Sequence, residues 1–181
     1  IMNARKAFTN TKLLYVTNFP YQYAWGCISS AATDMDQIRD HYGFDFKFVD
    51  YEEFFADMDK LVKDNKIAKR RREFANQILD NAGNSNMDLE DIEKSLDFYY
   101  ATLGSMEKHS CNSFTIECHE LCSSLNPWNR RFTPCMTHAL LKDNSMAAAC
   151  EGDVNALMAM MVEMYLSDKS VYRFEPGSPV T

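Results

Sequence analysis

The chain has no G-x-G-x-x-G, no G-x-x-x-x-G-K-[S/T] and no G-x-S-x-G. It therefore lacks the glycine pattern of a dinucleotide fingerprint, a phosphate-cradling P-loop and a nucleophile elbow, and nucleotide and serine-hydrolase readings have no support. It has no apolar run of transmembrane length and no visible signal-peptide pattern, so no membrane is expected as partner and the cytoplasm is the expected compartment. It has no basic surplus: 19 Lys and Arg against 26 Asp and Glu give a formal charge of −7, which argues against binding a nucleic-acid backbone as the main role. The one basic cluster, Lys69-Arg70-Arg71-Arg72, lies inside an expected helix beside many acids of the chain and reads as a solvated helix face. Internal repeats and low-complexity tracts are absent too.

What is there is an ordinary globular balance, 46% apolar and 25% charged over 181 residues, enough for one sizeable core or two small domains. Such a core needs no covalent staples, so Cys27, Cys111, Cys118, Cys122, Cys135 and Cys150 are expected as reduced thiols. Cys150 is expected to pack as a small hydrophobe in an apolar strand.

Strand and helix patterns alternate along the chain. Lys12 to Asn18 reads as a buried parallel strand, followed by an aromatic loop through Tyr21, Tyr23 and Trp25. Thr33 is the expected N-cap of a helix to Tyr42, with Gly43 at its end. Phe44 to Asp50 alternates like a strand, and helices are expected over Tyr51 to Leu61 and Asn65 to Ala82, the second stopped by Gly83. Asp88 is the expected cap of a long helix to about Lys108, with Ile92, Leu96, Tyr99, Leu103 and Met106 on one stripe. A strand over Ser113 to Cys118 and a loop over His119 to Arg131 precede a helix from Cys135 to Leu141, opened by Thr133-Pro134. These elements predict an α/β fold, a mainly parallel sheet flanked by helices in a Rossmann-like three-layer arrangement.

Three constellations carry candidate chemistry. Met146 to Cys150 and Ser170 to Phe174 are short apolar runs, each followed by an acid, with a helical pattern between them. A right-handed βαβ unit would bring Glu151 and Glu175 to the carboxyl edge of the sheet, where open α/β sheets bind ligands. Two acids there suit a divalent cation with oxygen ligands or an acid/base pair. They also suit plain solvent-facing strand ends, and Asp153 suits a helix cap as well as a ligand. Cys118, Cys122, Cys135 and His138 could hold a structural zinc, although the expected strand-plus-helix placement lacks a compact knuckle. Tyr21, Tyr23 and Trp25 could stack on a sugar or cap a core.

The segment Ala149-Cys150-Glu151-Gly152-Asp153-Val154-Asn155-Ala156, followed by Tyr165-Leu166-Ser167-Asp168-Lys169-Ser170-Val171-Tyr172, resembles the L-fucose isomerase-like family (L-fucose and L-arabinose isomerases). That family carries an Ala-(Cys/Thr)-Glu-x-Asp-x-x-(Ala/Gly) motif, a helix, a Leu-Thr-Gly-Lys turn and a strand ending in an acid. Thr115-Ile116-Glu117-Cys118, the helix from Pro134-Cys135 to Leu141, and Asp91 to Met106 are similar to its upstream elements. The resemblance implies a metal-dependent aldose–ketose isomerase, an intramolecular oxidoreductase acting on a small sugar. Its divalent cation, Mn2+, would be held by Glu151, Glu175 and a histidine much farther on. The implied chemistry moves a proton between C1 and C2 through a cis-enediol, with the cation polarising the carbonyl and neighbouring hydroxyl while Glu151 and Glu175 carry the proton. The second acid is glutamate here, where the family uses aspartate, and His109, His119 and His138 lie upstream of the histidine position.

The resemblance also implies a fragment of a larger, multidomain, homo-oligomeric protein. It would comprise the tail of a preceding helix (1–11), a central α/β domain (12–145) and the βαβ start of a C-terminal catalytic region (146–181), inactive alone. A non-catalytic sugar-binding relative and a zinc-stabilised interaction module are the alternative expectations.

Overall fold

Leu13 and Tyr15 leave one side of strand β1 (Lys12–Val16), Leu14 and Val16 leave the other, and all four are buried. A strand apolar on both faces requires helices over each face. The structure, a computed structural model, describes residues 2–18, 23–25, 32–122, 130 and 134–167, and it supplies both layers. On one face, α3 (Tyr51–Leu61), α5 (Leu89–His109) and α7 (Cys135–Asp143) bury Phe54, Phe55, Phe98 and Leu141 against Leu14, Val16, Phe114 and Ala148. The rings of Phe54, Phe98 and Phe114 follow one another at centroid distances of 5.1 and 6.3 Å. On the other face, α1 (Met2–Thr9), α2 (Met35–Tyr42) and α8 (Val154–Ser167) cover Leu13, Tyr15, Ala147 and Ala149. The fold is the expected three-layer α/β arrangement.

The sheet is parallel throughout, in the order β4 (Asp45–Val49), β1, β5 (Ser113–Ile116), β6 (Ala147–Ala149). From β1 the chain crosses to β4 on one side, then returns to lay β5 on the other side of β1. The strand order thus reverses between β1 and β5, and the carboxyl ends of those two strands flank the crevice where open α/β sheets take ligands. Tyr15 is in register with both Phe48 and Thr115, and Thr115 with Ala149, so the residues just past positions 16, 116 and 149 share one edge. The expected boundary at 145/146 falls in the turn before β6, which hydrogen-bonds directly to β5.

Several local expectations change in the structure. Tyr23–Trp25 is not loop but strand β2, paired antiparallel with β3 (Ala32–Asp34), while Tyr21 lies outside the described residues. The helix begins at Met35, so the cap of α2 is Asp34 and not Thr33; the Asp34 carboxylate accepts from the Asp36 and Gln37 amides at 3.0 and 3.2 Å. Gly43 closes α2 in the left-handed conformation, φ 71°, as a glycine C-cap should. Helix α4 (Asn65–Asn81) ends because Ala82 turns extended, not through a left-handed Gly83. Asp88 precedes α5 without a side-chain capping bond. Cys118–Cys122 is a short helix, α6, in place of the expected last strand residue and the start of the expected loop. Pro134 opens α7 with φ −68°, and its carbonyl accepts from the His138 amide.

The basic cluster on α4 is not uniformly solvated. Arg71 turns inward and pairs with Asp97 of α5 at 2.5 Å, while Arg72 reaches Glu93 at 2.9 Å. Charge here joins two helices. Among the described residues no helix is long and apolar enough to cross a membrane.

Candidate functional site

Where β5 ends, Glu117 is buried, only 7% exposed, and its Oε1 accepts from the Tyr15 hydroxyl of the neighbouring strand at 2.5 Å. The Tyr51 hydroxyl donates to the Glu117 carbonyl at 2.9 Å, so both ends of the residue are held. Burial, reinforced by the hydrogen bond to Glu117, raises the Tyr15 phenol far above its ordinary value, and it keeps its proton. The acid and the phenol therefore form a fixed pair at the reversal point of the sheet.

One strand over, the chain leaves β6 through a tight turn. Glu151 and Gly152 both have left-handed backbone, φ 64° and 65°, and the Asp153 amide returns to the Cys150 carbonyl at 3.2 Å. Two successive positive φ values closed by such a bond make a type I′ turn. A glycine suits its second position; a glutamate at its first costs roughly 1–2 kcal/mol. Gly152 is needed for space as well. A Cβ there would fall on the Tyr15 hydroxyl and lie 3.0 Å from Glu117 Oε1. The turn is thus packed directly onto the Tyr15–Glu117 pair, and the Gly152 amide donates to the Ile116 carbonyl at 2.9 Å.

The turn presents Glu151 as the sequence anticipates, at the carboxyl edge. Its amide donates to Cys118 Sγ at 3.2 Å, and its Oε2 is buried without a hydrogen-bond partner. Leaving a buried acceptor unsatisfied costs about 1–3 kcal/mol, more when it is charged. An orphaned carboxylate oxygen is a hard donor of the kind a divalent cation takes, so the residue fits that group. Asp153 instead serves the backbone, because its Oδ1 accepts from the Ala156 amide at 2.8 Å and caps α8. Glu175 lies outside the described residues. Among the described residues, no three of His, Cys, Asp and Glu gather closely enough to hold a metal ion.

The thiol and imidazole candidates divide. Cys118 contacts Cys150, and that contact together with burial raises its thiol well above the usual range, so it stays protonated. Cys122 and Cys135 are exposed, while Cys150 is partly exposed just past β6 rather than packed within the strand. His138, on α7, is buried with its ring tilted against that of Phe114 at a centroid distance of 5.5 Å. Burial, aided by the Lys142 cation, lowers its pKa to about 3, and neither ring nitrogen has a partner.

Glu117 is the residue that sequence reasoning passed over as a site candidate. Its signal was present: an acid directly after a short apolar strand, the same pattern that drew attention to Glu151. Only the strand order shows that this strand flanks the reversal point. Comparison with protein-family models and with curated proteins gives no match to the chain, so the chemistry rests on these strand tips.

Proposed function

We propose that this edge is part of the active site of a metal-dependent sugar ketol-isomerase, interconverting an aldose and its ketose with Mn2+ as the cation. The observation that carries the reading is Glu151, held in a left-handed turn with a buried, partnerless carboxylate oxygen at the carboxyl edge of a parallel sheet. The resemblance around Ala149 to Ala156 points the same way. When bound, the cation would draw electron density from the sugar carbonyl and its neighbouring hydroxyl. Glu151 holds one hard oxygen at the edge, and Glu175 is the proposed second. These carboxylates would take the proton from one sugar carbon and return it to the next, the work for which paired acids are suited. The Tyr15–Glu117 pair underlies the turn and fixes the direction of Glu151 rather than reacting itself. The chain is proposed to act as the 12–145 and 146–181 parts of a cytoplasmic homo-oligomer, without turnover on its own.

The test is aldose–ketose conversion by the intact parent supplied with Mn2+. Glu151→Gln keeps the shape of the side chain and removes its charge, so turnover should fall at least roughly 100-fold with the circular dichroism unchanged. Near-normal turnover would remove Glu151 from this role. Mn2+ binding without conversion by the parent would point to the non-catalytic sugar-binding relative. Stoichiometric zinc lost in Cys118→Ser would point to the zinc module instead.

A further inference from the structure

A second concavity, about 160 Å³, runs along β6 between α7 and α8. From α7 it receives His138 and Lys142; the rest of its wall includes the methyls of Ala148 and Ala149 and the thioether of Met160. His138 is 95% buried, since only 5% of it is exposed, and both its ring nitrogens lack hydrogen-bond partners. A buried imidazole normally finds a partner for each nitrogen, so a partner belongs in this space. Water alone is one answer, but the chemistry of the walls is one-sided. A neutral imidazole offers one N–H, Lys142 adds an amine, and among the described residues no carboxylate lines the cavity.

We propose that this cavity binds a short-chain carboxylate, its oxygens accepting from His138 and Lys142 and its carbon chain lying against Ala148, Ala149 and Met160. The volume sets the size: at roughly 30 Å³ per water the space is worth about five waters, enough for a carboxylate of about two to four carbons. A metal cation suits the site poorly, because His138, Cys135 and Cys150 do not gather as a ligand set and the lysine would repel the ion. Burial lowers the affinity of both His138 and Lys142 for protons; at Lys142 the neighbouring Cys150, Asp143 and Cys135 counter it in part, and an anion between the two bases would offset it further.

The experiment is a titration of the 15N- and 13C-labelled chain with sodium propionate at constant ionic strength, followed through the His138 ring resonances. Phosphate and chloride serve as controls. The expected result is a saturable shift with propionate, a smaller or absent one with chloride, and affinity weakened roughly tenfold in Lys142→Met. Phosphate saturating as well as propionate would overturn the carboxylate assignment, since the apolar wall would then contribute nothing. A response to propionate that never saturates, or one undiminished in a folded Lys142→Met, would overturn the site. The wild-type titration decides the matter even where the variant does not fold.

Discussion

Gly152 shows how much one backbone position carries. Its left-handed φ lets the chain reverse within a type I′ turn, and its missing side chain lets that turn rest on the Tyr15 hydroxyl and Glu117. Gly152→Ala meets both obstacles at once, a positive φ and a steric overlap with a buried pair. We expect it to destabilise the fold by about 2–4 kcal/mol, measured by urea denaturation. A loss well under 1 kcal/mol would mean that the turn relaxes away from Tyr15. The glycine in Glu151-Gly152-Asp153 was legible in the sequence, but not its reason. That reason is a tyrosine more than a hundred positions earlier, brought beside it by the parallel pairing of β1, β5 and β6.

Elements end where local chemistry and packing agree, and the two caps of α2 illustrate both outcomes. Gly43 ends the helix as its sequence position suggests, while the opening moves from Thr33 to Asp34, whose carboxylate stands where it can accept from the Asp36 and Gln37 amides. Asp34→Ala should cost about 1 kcal/mol through loss of the two amide bonds, seen as a lower melting temperature; Thr33→Ala should cost much less. Between α4 and α5 the decisive contact is electrostatic. Burial raises the Asp97 carboxyl, and Arg71 counters it. Both side chains are largely covered, at 19% and 12% exposure. Arg71→Ala would leave Asp97 without its guanidinium and should lower stability by about 2–3 kcal/mol, whereas the exposed Lys69→Ala should change it by less than about 0.5 kcal/mol. The four basic residues look alike in sequence. Only the helix phase against α5 decides which of them is inside.

For the molecule as a whole, His138 gives acid sensitivity a source. Its folded pKa of about 3 lies below the ordinary histidine value of 6.5, so the unfolded chain binds the proton more readily than the folded one. The stability that the neutral ring contributes is complete above 6.5 and is lost as pH falls toward about 3. Within that window the loss approaches about 1.4 kcal/mol per pH unit. His138→Phe, which keeps a ring against Phe114, should flatten the acid limb of the stability–pH curve relative to the unaltered protein. Parallel curves from pH 7 to pH 4 would exclude this source. Paired carboxylates such as Glu53 and Asp57, both lowered by hydrogen bonds from Lys108, contribute an acid slope of the same sign in both proteins and cancel in the comparison.

The amino-acid pattern by itself determined the class of the fold. Strands apolar on both sides, separated by amphipathic helices, can bury their surfaces only as a parallel sheet between two helical layers. It also placed Glu151 at a strand end, because a charge is disfavoured inside a strand buried on both faces and so falls where the apolar run stops. Tertiary structure decided what sequence order cannot encode. The return of β5 past β1 sets Glu117 at the reversal point; the Tyr15 hydroxyl reaches it from the adjacent strand; and the packing of α7 on the sheet sets His138 against Phe114. These are contacts between distant segments, fixed by strand pairing and helix phase, and no local propensity specifies them.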